Sequence, residues 1–475
     1  MAKIKHSNKD LLDLPDKYCR VVLTDNQPTW HRLVETPDGT LEYRLGTGAK
    51  KDLTARRFRT LVRKIVQAAK AHQLVRIALT LQPADYPQLE ELGRAWFYRT
   101  VAENLALADY EFCKYKRPSK DAVPLQEILV CNLTSKADIT AFTTGLTVAA
   151  GANTTRDIAN TPGVDMTPSK LAKATQEAMK GTKATVKVLG MTEIKKEKMG
   201  LLEVVGKGAC DKPRLIVIEY WGAGKPKKGD KKLAPFALIG KGITYDSGGL
   251  NVKPSGAMHD MHLDMSGGAA MIGAMQAIAT LGLKRNVVAI IPAAENSISA
   301  DSMRAGDIAT AMNGSTVEIL HTDAEGRLVL ADALTYAEKH YQPRVILDAA
   351  TLTGAALVAL GQHASALLTK DDVLRTTLLE LGERSGDLVW PLPLWDEYKE
   401  SLKSARADIA NIAVNFSRYG GTIEGGTFLA HFAPPKTPWA HIDIAPRMES
   451  IKSDHLAKGA TGEPVRLLVQ FVEEY

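Results

Sequence analysis

Cysteine is scarce: Cys19, Cys113, Cys131 and Cys210 are the only four in 475 residues. They stand far apart with no C-x-x-C pair, which excludes a disulfide framework and a zinc knuckle and predicts buried, reduced thiols. No stretch approaches the roughly 18 consecutive apolar residues of a membrane-spanning helix, so no membrane partner is expected. The opening MAKIKHSNKDLLDLPDKY has early basic residues but not the apolar segment of a secretory signal, and a cytoplasmic location is expected. Repeats, low-complexity tracts and sustained heptads are also missing, which excludes solenoids and coiled coils.

Neither sign of charge is in large excess, the formal net charge being +6. Basic residues gather at KPKKGDKK (225–232) and IKKEK (194–198). Such runs usually sit on solvated loops, and binding to nucleic acid is kept only as an alternative, recognisable by affinity that falls steeply with salt.

What is present is an ordinary globular composition in a chain too long for one core, so two domains are expected. Residues 1–135 alternate strand-like runs (YCRVVLTD, VRIALTL, QEILVCNL) with helical ones such as LTARRFRTLVRKIVQAAKAH, whose apolar residues recur at three- and four-residue spacing. This predicts an N-terminal α/β domain. A helical segment running into the turn signal Asn160-Thr161-Pro162-Gly163 predicts a linking helix over 136–162. Beyond it, RLIVIEY, PFALIG, VVAIIPAA, TVEILH and RVILDAA are near-continuous apolar runs that alternate with helical patterns. The pattern predicts, over 163–475, an α/β domain with a mostly parallel central sheet covered by helices on both faces.

In open α/β sheets ligands bind at the carboxyl ends of the strands, so the acids that follow the apolar runs are the first candidates. Three loops qualify. Residues 240–249 carry Asp246 among glycines able to adopt positive φ, with Lys253 shortly after. Residues 258–268 carry Asp264 ahead of a helix. Residues 321–327 carry Asp323 and Glu325, two apart and so expected to point the same way in extended backbone. Singly, each loop is an ordinary cap or turn. Together, four carboxylates in one crevice repel unless cations lie between them. One divalent ion leaves two of the four negative charges and two ions leave none, so two metals roughly 3.5–4 Å apart, sharing a bridging hydroxide, are expected.

The motifs KGITYDSGG (241–249), M-x-x-D-M-x-G around Asp264 and TDAEGRL (322–328) resemble those of the leucyl aminopeptidase family of two-metal peptidases. The resemblance runs from Asn160 through DAATLTGA (348–355) and WAHIDIA (439–445) to KGATGEPVRLL (458–468). It implies hydrolysis of single residues, leucine, methionine or similar, from peptides with a free N-terminus. It also implies two divalent ions, zinc or manganese with magnesium or cobalt as alternatives, held by Lys241, Asp246, Asp264, Asp323 and Glu325. Lys253 is implied to polarise the scissile carbonyl, Arg327 to hold a bicarbonate base, and Met261, Thr351, Leu352, Gly354, Ala445 and Met448 to line the substrate pocket. A homohexamer built as a dimer of trimers is implied as well.

His262 stands where the family more often has lysine, His321 where asparagine is usual, and Pro446 where glycine is usual. His321 is expected to hydrogen-bond beside the metal loop rather than to ligate, since the carboxylate set is complete without it. Another two-metal hydrolase, a phosphoesterase, remains the nearest rival, because paired dications serve phosphoryl transfer equally well.

Overall fold

Why the first helix forms is plain in its sequence. Thr54 accepts from the Arg57 N–H at its start, and Phe58, Leu61, Val62, Ile65, Val66 and Ala69 then fall on one buried stripe while Arg56 and Arg57 stay in solvent. The computed structural model describes residues 1–117, 123–227, 229–417 and 419–475; Lys228, in the basic run 225–232, lies outside the described residues. The chain divides into two units, one of Met1–Ala150 with Glu383–Gly386 and Ser450–Lys458, the other of Gly151–Gly382, Asp387–Glu449 and Gly459–Tyr475.

In the first unit β1 (Lys3–His6), β2 (Cys19–Thr24), β3 (His31–Glu35), β4 (Leu41–Gly46), β5 (Arg76–Leu79) and β6 (Glu127–Val130) form a sheet in the order β1-β6-β5-β2-β4-β3. All pairs are parallel except β3 with β4 at the edge. Helices α1 (Ala55–Ala71) and α2 (Gly93–Asp109) belong to this unit, and α3 (Lys136–Ala159) runs through the boundary between the units. The core joins Phe58, Ile65, Ile77, Phe97, Val101 and Ile128.

The second unit holds the strands β7 (Thr185–Leu189), β8 (Arg214–Trp221), β9 (Phe236–Gly240), β10 (Gly242–Asp246), β11 (Asn286–Asn296), β12 (Ile308–Thr310), β13 (Thr316–Glu318), β14 (Val345–Ala350), β15 (Ser365–Leu368), β16 (Val389–Pro391), β17 (Ile409–Ala410) and β18 (Trp439–Asp443). Nine of them make one sheet, in the order β16-β15-β18-β14-β9-β11-β8-β7, with β10 pairing β11 off that path. The centre, β18-β14-β9-β11, is parallel, and antiparallel pairs lie toward the edges. Its helices are α4 (Pro168–Ala178), α5 (Met191–Lys196), α6 (Gly200–Gly206), α7 (Ser266–Leu281), α8 (Gly326–Tyr341), α9 (Gly354–Leu360), α10 (Asp372–Ser385, whose end joins the first unit), α11 (Gly421–Phe432) and α12 (Val465–Glu474).

Every residue of β9 and β14 is buried, so the central sheet is covered on both faces, as the continuous apolar runs require. Ala237, Ile239, Val288, Ile290 and Ile346 share a core with Leu328, Leu334 and Phe428 from α8 and α11, while α7 packs on β9, β11 and β14. Burying each such aliphatic side chain contributes about 1.5–3 kcal/mol.

Two expectations need correction. Thr316–Glu318, read as a strand of the central sheet, belongs to a separate three-stranded sheet β12-β13-β17, its pairing partners being Ile308–Thr310 and Ile409–Ala410. Of the four cysteines, Cys19 and Cys131 are buried, but Cys113 and Cys210 are exposed, in irregular segments that no core covers. Among the described residues no helix is long and apolar enough to cross a membrane.

Candidate active site

The parallel centre of the sheet delivers its loops to one end. Lys241 follows β9, Asp246 ends β10, Asn296 ends β11, Thr351 follows β14 and Asp443 ends β18. Parallel strands share a carboxyl edge, so residues more than a hundred positions apart meet there.

Asp246, Asp323 and Glu325 each offer an oxygen within 4.8 Å of the others, and among the described residues this is the only such group of acids, histidines or cysteines. Asp264 joins through Lys241, whose buried ammonium lies 2.7 Å from Asp264 Oδ2 and 2.8 Å from Glu325 Oε1 and donates to the Thr351 carbonyl at 3.1 Å. Lys253 lies 2.8 Å from Asp246 Oδ2 and 2.5 Å from Asp323 Oδ1. Four carboxylates and two ammoniums thus share one buried cluster, two negative charges in excess.

Its electrostatics follow from burial. Loss of solvent, followed by Coulomb repulsion from the other acids, pushes Asp264 up to about 8, Glu325 to about 7 and Asp323 to about 6. Burial alone would lower both lysines, but the surrounding carboxylates outweigh it and hold Lys241 and Lys253 above the ordinary range. Glu325 Oε2 is buried with no hydrogen-bond partner, and Asp264 Oδ2 and Asp323 Oδ1 have ammonium neighbours without an aligned hydrogen bond. Hard oxygen donors, excess negative charge and an unpartnered buried oxygen fit divalent cations.

Asn296 and Asn251, which motif reading did not single out, hold the loops together with Thr322 of the 322–328 motif. Asn296 donates to Asp246 Oδ1 at 2.9 Å and to the Thr322 carbonyl at 3.1 Å. Thr322 donates to the Gly248 carbonyl at 2.6 Å and accepts from the Asn251 N–H. Gly248 and Gly249 take φ of +86° and +65°, the conformation expected of the glycines around Asp246. The segment 321–325 is a turn rather than a strand. Asp323 and Glu325 therefore converge through turn geometry, Glu325 being the last residue before α8, and not through the two-residue period of extended chain. A signal was available for two of the three loops: Asn251 and Thr322 beside the acids can satisfy the turns' own N–H and C=O groups.

Arg327 is buried, donates through Nη1 to the Asn411 carbonyl at 2.7 Å, and has an unpartnered Nε. His321 lies outside the acid group; its Nδ1 faces the Asp323 N–H at 3.3 Å, and burial holds the imidazole below its usual range, matching an accepting, neutral ring. Thr351 donates to Asp264 Oδ1 at 2.8 Å. Asp443 ties two loops together, accepting from the Leu352 N–H at 3.0 Å, the Ala445 N–H at 3.1 Å and the Thr353 hydroxyl at 2.7 Å. Gly354 opens α9, which packs against the turn Ala445–Arg447 that contains buried Pro446 and precedes Met448. Met261, with His262, lies on the turn Met261–Met265, three residues before Asp264.

Acids and lysines gathered at the carboxyl edge of a parallel sheet centre form a candidate metal site. Comparison with known proteins defines the class. The model of the cytosol aminopeptidase family catalytic domain matches residues 153–469, and that of the family's N-terminal domain matches 43–119. Proteins of Burkholderia pseudomallei (strain 668) and Burkholderia mallei (strain SAVP1), both named "Probable cytosol aminopeptidase", are 40% identical over 431 residues, covering 90% of this chain and 82% of theirs. A solved structure of tomato leucine aminopeptidase, a mutant, aligns with TM-score 0.87 at 28% identity, over 100% of this chain and 97% of that one. The bottromycin maturation enzyme BotP in complex with Mn aligns with TM-score 0.83 at 31% identity, over 100% of this chain and 99% of that one. The chain belongs to the cytosol aminopeptidase family and is a metal-dependent aminopeptidase.

Proposed function

We propose that this enzyme removes leucine-, methionine- or similarly sized residues from the free N-terminus of peptides, using two divalent ions. The observation that carries the reading is the convergence of Asp246, Asp323 and Glu325 within 4.8 Å, with Asp264 tied to them through Lys241. These five residues would hold the ions. When bound, the ions supply an acidified water and a polarised carbonyl at neutral pH.

The remaining steps belong to side chains. Lys241 must lose its proton to act as a ligand; cations on Asp264 and Glu325 would cancel the negative field that keeps it charged. Lys253 stays an ammonium and stabilises the oxyanion that develops on the scissile carbonyl. With every nearby acid engaged, Arg327 would hold a bicarbonate, which would supply the base for the attacking water that no free carboxylate remains to provide. The unpartnered Nε of Arg327 and the amino end of α8 beside it favour an anion there. Asp264, with an ion it would help to hold, would recognise the substrate's α-amine and so restrict cleavage to the first residue. Met261, Thr351, Gly354, Ala445 and Met448 line the pocket for its side chain, where methionines adapt to unbranched and branched aliphatic groups, and the Leu352 carbonyl lies near the substrate backbone.

Zinc or manganese suits the donor set, and the manganese-bound neighbour supports manganese. A cytoplasmic homohexamer is the expected assembly, checked by its mass in solution. The test is leucine-p-nitroanilide hydrolysis by metal-stripped protein after adding back manganese or zinc, beside an Asp323→Ala, Glu325→Ala double variant. Metal-restored release by the wild type alone is expected. No release from metal-loaded wild type on leucyl, alanyl, methionyl or cysteinylglycine substrates would overturn the reading.

A further inference from the structure

One residue outside every motif grips the metal loop and the arginine together. Asn411 follows β17, is fully buried, and uses its whole amide on a single turn. Its Oδ1 accepts from the N–H groups of Leu320 at 2.8 Å and His321 at 3.3 Å. Its Nδ2 donates to the His321 carbonyl at 2.7 Å and to the Ala324 carbonyl at 3.4 Å. The two ends of that turn bracket Asp323, and Glu325 follows directly. Its main-chain carbonyl receives Arg327 Nη1 at 2.7 Å, and its own N–H donates to the Glu318 carbonyl at 3.0 Å, anchoring it to β13.

We propose that Asn411 is a positioning residue that sets the spacing between the metal-binding acids of the 321–325 turn and the guanidinium of Arg327. The proposal rests on the function proposed above. The chemistry needs an asparagine. Only a side-chain amide offers acceptor and donor in one plane, and the turn presents paired N–H groups and carbonyls that no strand satisfies. The main-chain bond to Arg327 fixes the arginine relative to the same peptide, so a shift of Asn411 moves both partners at once. Hydrogen-bonded supports of this kind orient a ligand without touching the ion.

The test uses the full-length protein as Asn411→Ala and Asn411→Asp. The Asp variant keeps the shape and both accepted bonds but sets a carboxylate against the His321 and Ala324 carbonyls. Manganese affinity is read by calorimetry on metal-stripped, folded protein, together with kcat and KM on leucine-p-nitroanilide and the bicarbonate concentration giving half-maximal rate. A loss of about 10–100-fold in manganese affinity is expected for both variants, with kcat falling more than KM changes and the bicarbonate requirement rising. A purely architectural role would lower the melting temperature and leave metal affinity and bicarbonate dependence within about twofold of wild type, which would overturn the proposal. If Asn411→Ala is not recovered folded, Asn411→Asp decides alone. Wild-type protein that neither binds manganese nor cleaves the substrate would instead refute the underlying function.

Discussion

Gly326 offers the sharpest perturbation of the site, because a single methyl group there collides with a proposed ligand. A Cβ at Gly326 would lie 2.4 Å from Lys241 Cε and 2.7 Å from both Cδ and Nζ, where ordinary contact begins near 3.4 Å. Lys241 must therefore retreat by about 1 Å (3.4 less 2.4). Its Nζ sits 2.7–2.9 Å from Asp264 and Glu325, so that retreat takes it past about 3.5 Å, beyond hydrogen bonding. Gly326 is the first residue of α8 and is not in the positive-φ region, so alanine itself is unstrained there. Overpacking costs about 1–3 kcal/mol, partly offset by a helix-propensity gain of at most about 1 kcal/mol. Stability should fall by about 3 kcal/mol or less, whereas misplacing a functional group by about 1 Å costs on the order of 100-fold in rate. The assay is kcat/KM on leucine-p-nitroanilide for Gly326→Ala, with urea denaturation alongside. A folded variant retaining activity within about threefold of wild type would refute the argument that Gly326 exists to make room for Lys241.

Two further outcomes follow from burial. In metal-stripped protein Asp264, Glu325 and Asp323 titrate above their unfolded values, so the folded state binds more protons than the unfolded chain between about pH 4 and 8. Their contribution to stability is therefore largest at the acid end of that window and declines as pH rises through it; manganese, which binds the ionised acids, should raise the melting temperature more at pH 8 than at pH 5. Equal shifts at both pH values would contradict the cluster electrostatics. Away from the site, fully buried Asp332 accepts from the N–H groups of Leu201 and Leu202, both at 2.9 Å, and of Met312 at 2.8 Å. Asp332→Ala leaves two buried donors and one partly buried donor unpaired and should lower unfolding free energy by about 3 kcal/mol, measured by urea titration; a change under about 1 kcal/mol would show that water replaces the carboxylate.

Much of this protein was written in local sequence. Near-continuous apolar runs required strands covered on both faces, and β9 and β14 are buried at every position, with Asp348, the one charged side chain among them, accepting from Trp439 Nε1 and facing His441 Nδ1. The glycines flanking Asp246 announced a tight turn, and Gly248 and Gly249 adopt it. The motifs named the acids and lysines because their chemistry is carried by residue type.

Tertiary structure decided the rest. Which strand belongs to which sheet was not legible: TVEIL has the same apolar character as the core strands, yet it pairs in a small separate sheet, since pairing depends on distant partners. The convergence of Asp323 and Glu325 came from a turn clamped by Asn411, a residue about ninety positions later in no recognisable motif. Lys241 and Lys253 are both held charged among the acids, a balance of burial against Coulomb attraction that no sequence spacing encodes. Local sequence fixes periodicity, turns and chemical type because these depend on near neighbours. Distances between side chains a hundred residues apart, and the fields they create, exist only once the sheet has brought its carboxyl edge together.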